Sequence, residues 1–548
     1  MGKNSGKAVK NSTKLFFSGV VVLTIANLLV KVIGLLFKIP MNAELGGEGL
    51  GYYNAAYQIY TVFFMVSTAG LPVAVSILIS ESRSRGELKQ IKKIFRTTVA
   101  LFFGIGFLGM AAMYFGAKGF ADLLGSAPTY VCIMAIAPTL FFICVSSTLR
   151  GYFQGFQQMI PTAISELIEA LCKLILGILF ARYAVAQGYS INVVAAYAAI
   201  GLSIGAGLGM VYLFITKLFF SEEKYIAEFV TEGEESTATT PTKDILKRVI
   251  IIALPITLSA TVMSLTNLID TFIVQNLLQE NGMSQAEATT LFGNYTGLAV
   301  PMFNLPPVLI YPISAAIVPL LSVARTQGDK KRSRTVMESA LKVAVLIGVP
   351  CGLGMSVLSR PILEMFYSSG EAQAIVNATP LLRVLAPSTI FVCILSVTNA
   401  ILQSCGKERL PLVSMLAGAA VKLVTNYFLI QHIGMIATPI STFLCYLTVT
   451  CINFVFIAKY ADIVPNIVRV FLKPFICGII CAAAALGSYT LFNTFVSGSI
   501  ATVAAIGTAG IVYVLFVFLL RVVTADDVKL LPKGNKICSA LTKIHLIK

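Results

Sequence analysis

Charge is scarce in this sequence. Only 12% of its 548 residues are Asp, Glu, Lys or Arg, about half the usage of soluble domains, while 57% are hydrophobic and the mean hydropathy is +0.85. A water-soluble chain is excluded, and a polytopic membrane protein is what remains. Metal-binding side chains are scarce too. There are two histidines, His432 and His545, and the eleven cysteines stand singly, mostly in apolar runs, with no C-x-x-C pair. The usual zinc and redox signatures are thereby excluded, and the cysteines read as small packing residues. No metal, cofactor or catalytic residue is expected. Long outer loops are also missing. The connectors near 116-128, 279-289 and 359-376 are short, and Glu280, Glu287 and Glu364 in them form no metal constellation. A membrane glycosyltransferase or polymerase would want a sizeable extramembrane loop with catalytic carboxylates, so that class is disfavoured.

What the chain does have is long apolar runs. They fall at about 15-39, 51-79, 94-115, 129-149, 160-181, 193-216, 249-278, 290-324, 335-358, 377-403, 410-430, 433-458, 470-492 and 499-520, each near or above the roughly 20 residues that cross a bilayer. The expected fold class is an all-α polytopic membrane protein with about 14 transmembrane helices. The connectors support this count, because alternate ones (1-14, 80-96, 150-159, 217-248, 325-334, 404-409, 459-473 and 521-548) carry 32 of the 41 Lys and Arg residues. The opposite connectors carry only Lys118, Arg182 and Arg360. By the positive-inside rule both termini are expected in the cytoplasm. The net charge of +16 therefore reads as topology, with membrane lipid headgroups rather than nucleic acid as its partner. The first run follows "MGKNSGKAVKNSTK" but is too long for a signal-peptide core, and its retention is expected.

The two halves repeat each other. At an offset of 242 residues, Gly51, Tyr53, Ala74, Ser80, Arg83 and Gly86 fall on Gly293, Tyr295, Ala316, Ser322, Arg325 and Gly328, and "SESRSRGE" and "SVARTQGD" are one turn twice. Nearby offsets pair Asn27 with Asn267, Pro161 with Pro411, and Lys173 in "KLILG" with Lys422 in "KLVTN". This predicts an N-terminal lobe (1-220, helices 1-6), a Glu/Thr/Ser-rich cytoplasmic linker (221-248), a C-terminal lobe (249-459, helices 7-12), and two C-terminal helices with a cytoplasmic tail (460-548). Six helices per copy relate the lobes by an axis along the membrane normal.

Several charges sit inside these apolar runs, where each costs roughly 2.5–3.5 kcal/mol unless it faces a partner or a cavity. Asn27, Lys31 and Lys38 share one helical face with Gly34 between them, although Lys38, just before Pro40, can also be read as snorkelling to the interface. Glu166, Glu169 and Lys173 share a face of the fifth segment, with Glu169 and Lys173 spaced to pair and one carboxylate left over. That surplus leaves a structural network, a protonated acid or a coupling group all open. Lys422 and Asn426 share a face, and Asp270 is the only acid deep in the second lobe, so an Asp270–Lys422 bridge is the economical expectation. Arg383 lies between Pro380 and Pro387, either lining the cavity or near the outer interface. Tyr53, Tyr57 and Tyr60 form an aromatic face, suited to stacking on sugars or simply to packing.

The stretches "LLVKVIGLLFKIPMNAELGGEGLGYYNAAYQIY", "ISESRSRGE", "LRGYFQGFQQMIPTAISELIE" and "NAILQSCGKERLP" resemble the polysaccharide-transport branch of the multidrug/oligosaccharidyl-lipid/polysaccharide (MOP) exporter superfamily. Within it they are most similar to the stage V sporulation protein B and YtgP type, the MurJ-like lipid II flippases. The resemblance implies two six-helix lobes around a cavity that opens alternately to each side, moving an undecaprenyl-pyrophosphate-linked saccharide outward. It implies lipid-linked glycan as substrate, cell-wall synthesis machinery as a further partner, and cations of the first lobe on the diphosphate. That role carries over to Lys31 and Lys38. In MurJ-type members the last two helices hold the lipid tail, a place for 470-520. The chain departs from those members in having no arginine in "MVSTAGLPV", so Lys173 and Arg383 are expected to supply the missing charge. It also carries Lys422 where some members bind sodium, so a tethered ammonium is expected to replace that ion. The competing readings are a cation-coupled multidrug exporter of the same superfamily, which would want a drier and more acidic cavity, and a scaffold, which leaves the one-face charges unexplained.

Overall fold

The computed structural model describes residues 2–223, 240–327, 329–368, 370, 372–407, 409–460, 466, 468–496 and 498–522. Most of the expected linker and the expected tail after Val522, with Cys538 and His545, lie outside the described residues. Among the described residues there is no strand. In chain order the helices are α1 (Gly2–Thr68), α2 (Leu71–Ser84), α3 (Leu88–Phe115), α4 (Ala117–Leu123), α5 (Tyr130–Gly155), α6 (Ile160–Ala186), α7 (Ile191–Leu218), α8 (Thr242–Glu280) and α9 (Gln285–Asn294). They continue as α10 (Val300–Phe303), α11 (Leu305–Thr326), α12 (Lys330–Val357), α13 (Ser359–Tyr367), α14 (Ala372–Leu385), α15 (Ser388–Ser404), α16 (Leu410–Ile433), α17 (Ala437–Tyr460), α18 (Lys473–Phe492) and α19 (Gly498–Leu519).

Among the described residues eight stretches are long and apolar enough to cross a bilayer, nine if α14 and α15, bent by 47°, make one span. Two of them, Ile25–Ser84 of 60 residues and Leu410–Tyr460 of 51 residues, are each more than twice the length of one crossing. The first is interrupted inside α1 at Gly46, whose φ of 59° and ψ of −169° break the helical path. A side chain there would be strained, which is why the run "ELGGEG" marks the break.

By contact density the chain divides into two compact units, Met1–Gln279 with Met283–Gly293 and Glu280–Gly282 with Asn294–Lys548. Helix α8, expected to open the second lobe, is thus counted with the first unit. Its own residues show why. Ile245, Val249 and Ala253 share a buried core with α2 and α5, and Arg248 pairs with Glu81 at 2.8 Å. Farther along, Gln279 donates to the Gly125 carbonyl at 2.8 Å.

The internal repeat has a structural signature in each unit. Arg83 donates to the Phe156 carbonyl at 3.0 Å, just past the end of α5. Its repeat partner Arg325 donates to Cys405 Sγ at 2.7 Å, just past the end of α15. Both helix ends close in the same way. Gln157 and Gly406 adopt positive φ of 60° and 68°, and the following amides of Gln158 and Lys407 reach back to the Phe153 and Leu402 carbonyls at 2.9 and 3.0 Å.

Small residues set the spacing around the charged helix. Gly201, Gly205 and Gly209 recur every fourth residue on α7, and added Cβ atoms would lie 2.4 Å from the Gly177 amide nitrogen, 2.9 Å from the Glu169 carbonyl oxygen and 3.1 Å from the Ser165 carbonyl oxygen. The backbones of α6 and α7 therefore meet closely, the small-residue packing typical of membrane helices. Repeat partners Gly51 and Gly293 also touch, a Cβ on Gly293 falling 2.6 Å from the Gly51 amide nitrogen. Replacing Gly205 by Leu is expected to lower stability by about 1–3 kcal/mol through overpacking. Gly34→Ala, with nothing within 4 Å of the added carbon, is expected to raise it by about 0.5–1 kcal/mol through helix propensity. Thermal unfolding of the detergent-solubilised variants checks both.

Candidate functional site

The first unit gathers charge along the facing surfaces of α1, α5 and α6. Lys173, one turn before the Gly177 contact with α7, holds its ammonium over three rings of α1, at 5.0 Å from the Phe37 centroid, 4.9 Å from Tyr57 and 6.0 Å from Tyr53. An ammonium gains about 2 kcal/mol or more from such ring faces when it is out of water. The rings themselves form a ladder. Tyr53 and Tyr57 stack at 6.3 Å, Tyr57 and Tyr60 follow at 5.6 Å, and Tyr60 and Phe64 at 5.8 Å. The 53, 57, 60, 64 spacing keeps one face of the helix aromatic over three turns.

Lys38 comes to the same ladder from the other side of the Gly46 break. Its ammonium donates to Asn54 Oδ1 and lies 5.4 Å from the centroid of Tyr53. The lysine thus turns into the unit and does not extend toward the interface. Two ammoniums now share one ring, and the ring's own hydroxyl is buried with no hydrogen-bond partner among the described residues. Two lysines beside an orphaned hydroxyl donor form an arrangement that can accept an anion.

The acids of α6 are held differently from the spacing-based expectation. Glu169 pairs with Arg150 of α5, Nη2 to Oε2 at 3.1 Å, and Glu166 lies 3.9 Å from the same guanidinium. Arg150 Nε also donates to Ser165 Oγ at 3.1 Å, and that hydroxyl donates to the Thr162 carbonyl at 2.8 Å. Glu169 therefore goes to Arg150, while Lys173, its neighbour one turn on, goes to the rings. Arg150 falls just outside the fourth apolar run, 129-149, which its charge ends, whereas α5 continues to Gly155. The one signal for it was the surplus carboxylate, which asked for a second cation.

The remaining candidates differ in exposure. Lys31 and Asn27 are exposed on α1, so the α1 lysine brought to the rings is Lys38. Asp270 is buried on α8 in the first unit, whereas Lys422 and Asn426 are buried on α16 in the second. Arg383 is exposed at the end of α14, where its carbonyl accepts from Ser356 Oγ at 2.8 Å. Among the described residues no three His, Cys, Asp or Glu side chains gather as metal ligands do. Near the expected linker a lysine is paired with an acid as well as with a ring. There Lys217 meets Glu222 at 2.6 Å and lies 4.6 Å from the Tyr152 centroid.

Charged side chains gathered on the facing helices of a helical membrane protein are expected to meet a partner or a polar cavity. The comparisons with known proteins supply the class. The polysaccharide biosynthesis protein family model matches residues 16–324, more than half of the chain, and the MatE model matches 255–428. The chain belongs to the polysaccharide biosynthesis protein family, on the MurJ-like branch of the MOP exporter superfamily, and it is a transporter rather than an enzyme. Lipid II flippase MurJ of Bacillus subtilis (strain 168) is 26% identical over 462 residues, 82% of this chain and 84% of that one. Stage V sporulation protein B of the same organism is 23% identical over 526 residues, 94% and 98% of the two chains. Among solved structures, lipid II flippase MurJ in its inward closed conformation superposes with a TM-score of 0.69 at 15% identity, covering 91% of this chain and 98% of that one.

Asn54 is the acceptor that keeps Lys38 inside. Asn54→Leu is expected to cost about 2 kcal/mol, the worth of a hydrogen bond to a buried charge, while Asn54→Asp retains the acceptor and is tolerated. Thermal unfolding of the two variants distinguishes them.

Proposed function

We propose that this protein is an alternating-access flippase. Its cargo is an undecaprenyl-pyrophosphate-linked saccharide, specifically the peptidoglycan precursor lipid II, carried from the cytoplasmic to the outer leaflet. The observation that carries this reading is the convergence of Lys38 and Lys173 on the Tyr53 ring, whose hydroxyl is left without a partner. Two ammoniums and a hydroxyl suit the diphosphate of such a lipid, and the tyrosine ladder below them suits the flat faces of a saccharide. The names of the relatives support the same cargo, and the match to the polysaccharide biosynthesis family supports a glycan.

In the proposed cycle the lobes 1-220 and 249-459 rock about the bound headgroup while the prenyl tail stays in lipid. Lys31 and Arg383 are assigned to the diphosphate's path. Asn27, Glu166, Glu169, Asp270, Lys422 and Asn426 are assigned to the polar wall. Both termini are cytoplasmic. An anion leaving an inside-negative cell gains roughly 2.3 kcal/mol per charge per 100 mV, so the membrane potential drives export in the required direction. No covalent step is needed.

The match of the MatE model to residues 255–428 favours a second reading, a cation-coupled multidrug exporter. The two differ in the sign of the cargo. Complementation of cells depleted of their lipid II flippase separates them. The wild-type chain is expected to restore growth, and Lys38→Gln with Lys173→Gln to lose at least tenfold in rescue at equal membrane expression. Rescue of another glycan pathway in place of this one, or full rescue by the double variant, contradicts the assignment.

A further inference from the structure

Glu169 stands between two cations, and only one of them has it. It lies one turn from Lys173 on α6, the spacing at which a carboxylate and an ammonium ordinarily pair, yet its Oε2 is 3.1 Å from Arg150 Nη2. Arg150 is itself fixed, because Ser165 accepts from its Nε at 3.1 Å and Ser165 is anchored to the Thr162 carbonyl. The guanidinium is thus aimed by a neighbour that carries no charge, and it draws both acids of α6 toward one end of the charged face. Lys173 keeps its ammonium over the rings, within electrostatic reach of Glu169 but without the direct ion pair that Arg150 makes.

The repeat supports treating these three charges as one device. At the 249-residue offset that carries Lys173 onto Lys422, Glu166, Glu169 and Arg150 fall on Met415, Gly418 and Asn399. The lysine is kept in both halves, and the two acids and the arginine are lost together. An arginine retained for direct binding of an anion has no reason to vanish with two acids.

We propose that Arg150 is a positioning residue that parks Glu169 away from Lys173, and that Glu169 is the movable counter-charge that discharges a bound anion when it returns to Lys173. The assignment rests on the reading of Lys38 and Lys173 as an anion site. It supplies what that reading lacks, a way to let go. A site of two ammoniums in low dielectric holds a diphosphate strongly, and a transporter must release it. Rotation of one carboxylate from Arg150 to its neighbour one turn along the helix replaces the ligand's charge with the protein's own. The proposal concerns position and charge alone, so no bond is made or broken.

The test uses the purified full chain in detergent and farnesyl diphosphate as the probe, with affinity and dissociation rate read by surface plasmon resonance. Arg150→Gln is expected to weaken binding about tenfold, because the freed Glu169 neutralises Lys173. Arg150→Gln with Glu169→Gln is expected to return to within about twofold of wild type. Glu169→Gln alone, which leaves Arg150 in place, is expected to bind at least as tightly and to dissociate about tenfold more slowly. A structural role for Arg150 predicts instead that the second substitution rescues nothing, and that result overturns the proposal. Unchanged dissociation in Glu169→Gln also overturns it. Lys38→Gln with Lys173→Gln is the separate control. If that variant binds the probe as wild type does, the anion-site reading itself is wrong. If it loses binding while Arg150→Gln does not, the positioning role alone fails.

Discussion

An ammonium inside a helical bundle in hydrocarbon needs electron density to replace its water, and the first unit supplies it to Lys173 from the faces of Phe37, Tyr53 and Tyr57. Much of the surrounding structure follows from that need. Helix α1 must be aromatic along one face, so Tyr53, Tyr57, Tyr60 and Phe64 recur at helical spacing. Helix α6 must lie close enough to reach those rings, so the glycines of α7 let it settle against their backbone. The acids that share a face with Lys173 must be occupied elsewhere, which is the place of Arg150. A second cation, Lys38, is then held beside the first by Asn54. Like charges at such closeness make sense in a site that receives an anion.

The membrane class and the helical architecture were legible because hydropathy and the bilayer's thickness act on every residue of a span. The repeat was legible too, since Arg83 and Arg325 were matched by offset alone and each clamps the end of a neighbouring helix. Spacing also put Glu166, Glu169 and Lys173 on one face. What spacing does not encode is which neighbour meets that face. Asn27 and Lys31 share a face with Lys38, yet only Lys38 is brought to the rings, because the covering helix reaches one end of the stripe and leaves the other exposed. Arg150 was hidden by a rule of the reading itself, that charge ends a span. The rule fails where two carboxylates on the adjacent helix make an arginine welcome inside. The placement of α8 with the first unit had no signal in hydropathy, since it depends on long-range partners such as Glu81 and Gly125.

The two halves of the chain therefore share a frame and differ in their charges. The clamp arginines and the closing turns of α5 and α15 are the common frame. Lys173 and Lys422 are common as well, both within helices. The two acids of α6 and Arg150 have no charged counterpart at the matching positions of the second half.

The central claim is that Lys38 and Lys173 together hold a lipid diphosphate. It is tested most directly by solid-state NMR of the membrane-embedded chain carrying ¹⁵N in its lysine side chains, with farnesyl diphosphate bound. Dipolar dephasing of the diphosphate phosphorus by lysine Nζ is predicted, weakened in Lys38→Gln and in Lys173→Gln and lost in the double variant. Dephasing that survives unchanged in the double variant would place the diphosphate on other lysines and contradict the account.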